Sequence, residues 1–236
     1  MRYVVITGGN KGIGLALTKR FIEAGDHVHI VARDFSNETD IDYQNHPLIT
    51  CHPFDLTELE KLPGLVSSIG DIDVLINNAG VLQPITYDHY PEARREYSLQ
   101  LNIMAPVELI RLFEPKLRAP SQYRPRVVNN ASIAGQIGHP DIWYGIGKAG
   151  LINATKSFSK AFGGDIIVNA VAPSPTETDM LDSIPEHRQK AFLKNTIANR
   201  FATAKEVADT LFWLATESPE YINGVCLDIN NGAFPR

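Results

Sequence analysis

The chain holds only two cysteines, Cys51 and Cys226, in 236 residues. So sparse a supply excludes a disulfide-stapled scaffold. Each cysteine is expected to pack as a small buried hydrophobe with no bridge between them. Histidines number seven, and they include His27-x-His29. None shares zinc-like spacing with a cysteine, so no metal is expected. Basic residues are outnumbered, 22 against 27 acidic ones, for a net charge of −5. This leaves no electrostatic footprint for nucleic acid and no basic cluster for a lipid surface. No apolar run reaches the roughly 18 residues of a membrane-spanning helix. The opening Met1–Thr7 has no apolar leader pattern, so a cytoplasmic protein is expected. The triplets Asn37-x-Thr39, Asn130-x-Ser132 and Asn153-x-Thr155 then carry no weight as glycosylation sites.

What the chain does hold is an ordinary globular mix, 44% hydrophobic and 21% charged. Its length suits one domain, 1–236, with a core large enough to need no staple. Short apolar runs alternate with helical patterns throughout. Candidate strands are Tyr3–Thr7, Val28–Ala32, Leu48–Phe54, Val74–Asn77, Val127–Ala131, Ile166–Ala172 and Val225–Ile229. Several are unbroken Val/Ile/Leu/Ala runs, as parallel strands covered on both faces require. Between them, residues such as Ile13, Ala16, Leu17, Phe21 and Ala24 fall on one helical stripe. The alternation predicts an α/β fold: a Rossmann-type, doubly wound parallel sheet of about seven strands with helices on both faces. Ligands then bind beyond the carboxyl ends of the strands. The segment 174–198 is expected to pass over that edge and cover a substrate. Its Met180, Leu181, Ile184, Phe192 and Leu193 suit either lid packing or a pocket wall.

Thr7-Gly8-Gly9-Asn10-Lys11-Gly12-Ile13-Gly14 joins the first strand to the first helix. Such a loop brings backbone close to a pyrophosphate, and the helix N-terminus supplies free N–H groups and a favourable dipole. There is no Gly-Lys-Ser/Thr, which disfavours a nucleoside-triphosphate loop. The second strand ends Arg33-Asp34, and the pair offers two readings. Asp34 would accept from the ribose hydroxyls of NAD; Arg33 would pair with the 2′-phosphate of NADP. Lys11 adds a second cation, which favours NADP(H) over NAD(H).

Tyr144 and Lys148 lie four residues apart on one face of a helix reaching Phe162. A nearby ammonium would lower the phenol's pKa and fit it for acid–base work. Ser132 follows the fifth strand, where its hydroxyl would polarise a carbonyl. Pro106 cannot donate to the carbonyl of Asn102, so the helix carrying both is expected to bend there and free that oxygen to hold a water.

Together these residues resemble the short-chain dehydrogenase/reductase family over nearly the whole chain. The resemblance rests on Thr7-Gly8-x-x-x-Gly12-x-Gly14, Asp55 in Phe54-Asp55-Leu56, Asn77-Asn78-Ala79-Gly80, Asn102, Ser132, Tyr144-x-x-x-Lys148 and Asn169-Ala170-Val171-Ala172-Pro173. It implies that Tyr144 exchanges a proton with the substrate oxygen, that Ser132 orients the carbonyl, and that Lys148 holds the nicotinamide ribose. Asn102 would hold a water linking Lys148 to solvent. Gly8, Asn10, Lys11, Gly12, Ile13, Gly14, Arg33, Asp55, Leu56, Asn78, Ala79, Gly80, Pro173, Thr176 and Thr178 would contact the cofactor. The chain departs from the family pattern at Ser174, at Thr176 and at Asp228-Ile229-Asn230-Asn231-Gly232. These positions bear on placement of the nicotinamide and not on the proton relay.

The resemblance implies an NADP(H)-dependent oxidoreductase acting on a small carbonyl or secondary alcohol. Reduction of 3-oxoacyl thioesters on an acyl carrier protein is a narrower alternative, and a non-catalytic NADP-binding sensor or scaffold is one of another class. His139 and Trp143 are candidates to line the substrate pocket. Arg124 and Arg126 suit either an acidic carrier or a solvated basic edge. Family members are commonly homotetramers or homodimers, which implies an interface formed by helices around 102–117 and 142–162.

Overall fold

The computed structural model describes residues 1–36, 41–43 and 45–235; Asn37 and Thr39 lie outside them. In chain order the elements are β1 (Tyr3–Thr7), α1 (Gly12–Glu23), β2 (His27–Ala32), β3 (Ile49–Pro53), α2 (Leu62–Ser68), β4 (Val74–Asn77), α3 (Glu92–Leu99) and α4 (Ala105–Leu117). They continue with β5 (Arg126–Asn130), α5 (Ala134–Ile137), α6 (Ile142–Ala161), β6 (Ile167–Pro173), β7 (Thr176–Glu177), α7 (Asp179–Asp182), α8 (Glu186–Leu193), β8 (Ala202–Thr203), α9 (Ala204–Thr216) and β9 (Cys226–Ile229). Seven strands form one parallel sheet in the order β3-β2-β1-β4-β5-β6-β9. The order reverses direction at β1, so the ends of β1 and β4 open a crevice.

The strand composition explains the layers. Every residue of β4, β5 and β6 is buried, as continuous apolar runs between two helical layers must be. On one face Leu17 and Phe21 of α1 meet Leu211 and Phe212 of α9 over Val4, Ile6 and Val28. On the other, Leu109, Ile110 and Phe113 of α4 meet Leu65 and Val66 of α2 over Val5, Leu75 and Val127. Of the stripe expected in α1, Leu17 and Phe21 are buried and Ile13 and Ala16 partly so, while Ala24 is exposed just past the helix end.

Two local features go beyond the sequence pattern. Residues Gln100–Met104 form a π-helical turn between α3 and α4, in which the Ala105 N–H bonds the Gln100 carbonyl. That wider turn is the form the expected distortion takes at Pro106. β7 and β8 form a separate two-stranded parallel ladder, Thr176 opposite Ala202 and Glu177 opposite Thr203. Strands of two residues have no periodicity to read, yet this pair ties down both ends of the segment that crosses the strand termini.

The basic edge expected at Arg124 and Arg126 is absent. Arg126 is buried and donates to the carbonyls of Leu214 and Ser218 at 3.0 and 2.8 Å and to the Ser218 hydroxyl at 2.6 Å. It closes the carboxyl end of α9, where free carbonyls need donors. Arg124 pairs with Glu220 at 3.5 Å. Neither is a free cation for an acidic partner. Cys51 and Cys226 are unbridged and partly buried.

Candidate active site

A cleft of about 880 Å³ lies along the carboxyl ends of the strands. Its first wall is the β1–α1 loop. Gly8 has φ +66°, a left-handed conformation that other residues rarely adopt. A Cβ at Gly14 would stand 1.9 Å from the Gly8 carbonyl oxygen, so the turn closes only on glycine. α1 begins at Gly12 with no side-chain cap and no acidic residue in its first turn. Its end is therefore left positive and suited to an anion.

A chain of amides connects this loop to the next strands. The Asn78 side chain donates to the carbonyls of Thr7 at 3.0 Å and Gly8 at 3.2 Å. The Asn130 amide donates to Asn78 Oδ1 at 2.9 Å. Lys148 Nζ donates to the Asn130 carbonyl at 2.7 Å. Behind them Asn77 donates to Asn129, and Asn129 to Thr155, both at 2.9 Å. Such side chains are buried at a cost unless bonded, and here they couple the glycine loop rigidly to the middle of the sheet. Asn130 Oδ1 is buried and has no partner among the described residues.

Tyr144 and Lys148 stand on the first two turns of α6. Asp141 starts that helix by accepting from the Tyr144 N–H at 3.1 Å, and its other oxygen accepts from the Gln83 N–H at 2.9 Å. Ser132 lines the same cleft as Tyr144, and its Oγ accepts from the Ala134 N–H at 3.1 Å. Lys148 Nζ is 5.9 Å from the Tyr144 ring centre. Burial pushes the Tyr144 phenol above its ordinary value; the Ser132 side chain pulls down and the Asp141 charge adds to the rise. This corrects the expected depression by Lys148. Both groups are buried, so desolvation sets the direction for the phenol, and burial lowers Lys148 itself to about 8.

Asn102 lies behind the cleft. Its amide donates to the Val81 carbonyl at 2.9 Å and its oxygen accepts from the Val81 N–H at 3.0 Å. A Cβ on Gly80 would be 3.0 Å from that oxygen and 3.2 Å from Lys148 Nζ, so Asn102, Gly80 and Lys148 are immediate neighbours. Gly8, Asn10, Lys11, Gly12, Ile13, Arg33, Asp55, Leu56, Asn78, Ala79, Gly80, Ser132, Pro173, Thr176 and Thr178 all border the cleft, with Tyr144 and Lys148. Gly14 and Asn102 support it from behind.

Near the second strand, Arg33 donates to the Tyr97 hydroxyl at 3.1 Å. The Asp34 carboxylate accepts from the Ser36 hydroxyl at 2.6 Å and the Ser36 N–H at 2.9 Å. Those bonds hold its carboxyl below the usual range. Lys11 Nζ lies 3.6 Å from Asp179 of α7.

The covering segment is less apolar than expected. Met180, Leu181, Ile184 and Phe192 border the cleft, but so does Arg188. His139 faces the cleft too, edge-on to Tyr144 with ring centres 5.3 Å apart. Trp143 does not line it; its ring packs under Arg95, 5.8 Å from the guanidinium carbon. Tyr97, Asn130, Asp141 and Arg188 are the residues that sequence reasoning missed. Asp141 alone had a readable signal, an aspartate three residues before Tyr144 at a helix start.

The sequence matches the short chain dehydrogenase family over residues 2–189, and the chain belongs to that family of oxidoreductases. Among its relatives, it is 29% identical to a 3-oxoacyl-[acyl-carrier-protein] reductase of Thermotoga maritima, covering 97% of this chain and 96% of the other. It is 30% identical to dehydrogenase/reductase SDR family member 6 of Rattus norvegicus, covering 98% and 96%. A solved 4-hydroxyisoleucine dehydrogenase complexed with NADH has the same fold, with a TM-score of 0.91, 24% identity and coverage of 99% and 98%.

Proposed function

We propose that the chain is an NADP(H)-dependent oxidoreductase that reduces a small carbonyl or oxidises the corresponding secondary alcohol, with residues 1–236 acting as one cofactor-binding domain covered at 174–198. The observation that carries this reading is that Ser132, Tyr144 and Lys148 meet in one cleft whose other wall is an uncapped helix and glycine turn. The pyrophosphate of a dinucleotide would sit at the α1 end and its ribose at Lys148. When bound, the dinucleotide supplies or accepts a hydride at the substrate carbon. Tyr144 donates its proton to the carbonyl oxygen in reduction and takes it back in oxidation. A phenol is protonated near neutral pH at its ordinary value and burial favours that form further, which suits reduction. Ser132 donates to the same oxygen and steadies the charge that develops there. Lys148, held by the Asn130 carbonyl, fixes the cofactor ribose, and Asn102 keeps the 80–81 turn against Lys148.

NADP(H) is preferred because Arg33 borders the cleft with only the neutral Tyr97 phenol as side-chain partner among the described residues, beside an Asp34 carboxylate, also at the cleft, that holds two bonds from Ser36. The names of several relatives favour a 3-oxoacyl-thioester reductase, but Arg124 and Arg126 give a carrier protein no free cations. Exposed Met104, Ile142 and Ile146 support a homodimer or homotetramer through α4 and α6. The test is a fluorescence titration of the protein with NADPH and with NADH, repeated in Arg33→Ala. We expect NADPH to bind at least tenfold tighter and the preference to vanish in the variant. A preference for NADH would overturn the NADP assignment, and binding of neither would overturn the enzyme reading.

A further inference from the structure

The covering segment brings one cation to the catalytic tyrosine. Arg188, on α8, borders the cleft and donates to His139 Nε2 at 3.2 Å. The ring of His139 in turn lies edge-on to Tyr144. A guanidinium can only donate, so His139 Nε2 must hold a lone pair there. The other ring nitrogen, Nδ1, is bracketed by the Asp141 backbone, 3.1 Å from its N–H and 3.3 Å from its carbonyl. The arrangement needs a neutral His139, and both burial and the Arg188 charge hold its pKa below the ordinary value.

Arg188 has five N–H donors, and this is its one side-chain bond among the described residues. It also forms no ion pair among them. Elsewhere on the segment Lys190 pairs with Glu186 at 2.6 Å. Gln189, beside Arg188, spends its amide on the carbonyls of Leu181 at 3.1 Å and Ile184 at 2.8 Å, so it fixes the α7–α8 turn. The rest of the segment's wall is mixed: Met180, Leu181, Ile184 and Phe192 alternate with Ser183, Gln189 and Asn195, and its one carboxylate at the cleft, Asp179, is paired with Lys11. Arg188 is only partly buried at this wall, so its remaining donors are open to a ligand, and the planar fork of a guanidinium matches a carboxylate.

We propose that the substrate carries a carboxylate bound by Arg188, so that the enzyme acts on oxo acids and hydroxy acids. His139 is a positioning residue that aims the fork. This deepens the function proposed above and rests on it for the reacting carbon, which lies at Tyr144 and Ser132 while the carboxylate lies at Arg188.

The test separates binding from turnover. The protein saturated with its preferred oxidised dinucleotide is titrated calorimetrically with 2-, 3- and 4-oxo acids of four to six carbons, with their methyl esters and with inorganic phosphate. At least one acid should bind tenfold or more tighter than its ester. Arg188→Gln should abolish that preference without changing dinucleotide affinity, and Arg188→Lys should restore part of it. Equal binding of every acid and ester, or a preference that survives Arg188→Gln, overturns the proposal. Phosphate binding more tightly than any acid, in an Arg188-dependent way, overturns the carboxylate assignment. Arg188-dependent binding of an acid supports the site even where turnover is absent, and that absence would count against the reductase reading alone.

Discussion

The cleft has a floor and a cover, and they are built by different means. The floor is the carboxyl edge of β1, β4, β5 and β6, where Asn77, Asn129 and Thr155 are buried and bonded to one another across three elements. The cover, α7 and α8, has no buried residue in either helix. It is held at its ends by the short β7–β8 ladder and across the cleft by the exposed Lys11–Asp179 pair. A group that must keep its place to move a proton belongs on the first kind of structure. A group that meets variable substrates belongs on the second, since weakly packed segments open locally at low cost. Tyr144, Ser132 and Lys148 are on the floor, and Arg188 is on the cover.

The largest effect should come from breaking the floor chemically. Tyr144→Phe should lower kcat by about 10²–10⁴-fold while leaving NADPH affinity within twofold, read by steady-state kinetics beside fluorescence titration. Unchanged kcat would remove Tyr144 from the proton transfer. Next is steric damage. Gly14→Ala puts a methyl against the Gly8 carbonyl and should cost about 1–3 kcal/mol of stability, lowering Tm by several degrees and weakening dinucleotide binding. Arg126→Ala strips donors from buried carbonyls and should cost about 2 kcal/mol with no change in KM. It thereby separates the fold's support from the site's chemistry.

A smaller effect belongs to the far edge of the floor. His29 lies 3.1 Å from His52, Nδ1 to Nε2, and burial together with the neighbouring His52 and His27 lowers its pKa to about 4. The unfolded chain therefore binds more protons than the folded one between about 6.5 and 4. Stability must fall as pH drops through that window, by about 1 kcal/mol after screening by solvent. His29→Phe should flatten that part of the Tm–pH curve. Lys148 acts in another range: its lowered value makes stability rise with pH between about 8 and 10.5. The smallest effect should come from the contact that joins the two regions. Asp179→Asn breaks an exposed ion pair and should move stability by less than about 0.5 kcal/mol. A Tm change above about 2 °C would mean that the cover is more firmly attached than its exposure indicates.

Legibility in the sequence follows the same division. Tyr3–Thr7 and Val74–Asn77 are the strands the apolar pattern predicts, and the other main strands differ by one or two residues at their ends. The glycine loop and the Tyr144/Lys148 pair were readable because local spacing along one loop or one helix sets their geometry. Arg126 was misjudged because its partners, Leu214 and Ser218, are some 90 positions away. Trp143 was misjudged because spacing from Tyr144 does not tell which side of α6 meets Arg95. The direction of the Tyr144 shift was missed because desolvation depends on everything packed around a group, whereas the sequence showed only its neighbouring charge.

The sequence by itself determined the layer architecture, the position of the sheet edge that bears the cleft, and the helical spacing that sets Tyr144 and Lys148 together there. These follow from hydrophobic period, glycine placement and helical spacing, all of which act over a few residues. Tertiary structure alone decided that Arg33 meets the Tyr97 hydroxyl at the cleft. It also decided that Asn130 joins Lys148 to the glycine loop and that Arg188 comes to rest against His139 beside Tyr144. Each of the contacts through Asn130 and Arg188 joins residues far apart in the chain. Their energies depend on burial and on which donors remain unpaired once the layers have closed, and no local pattern encodes either.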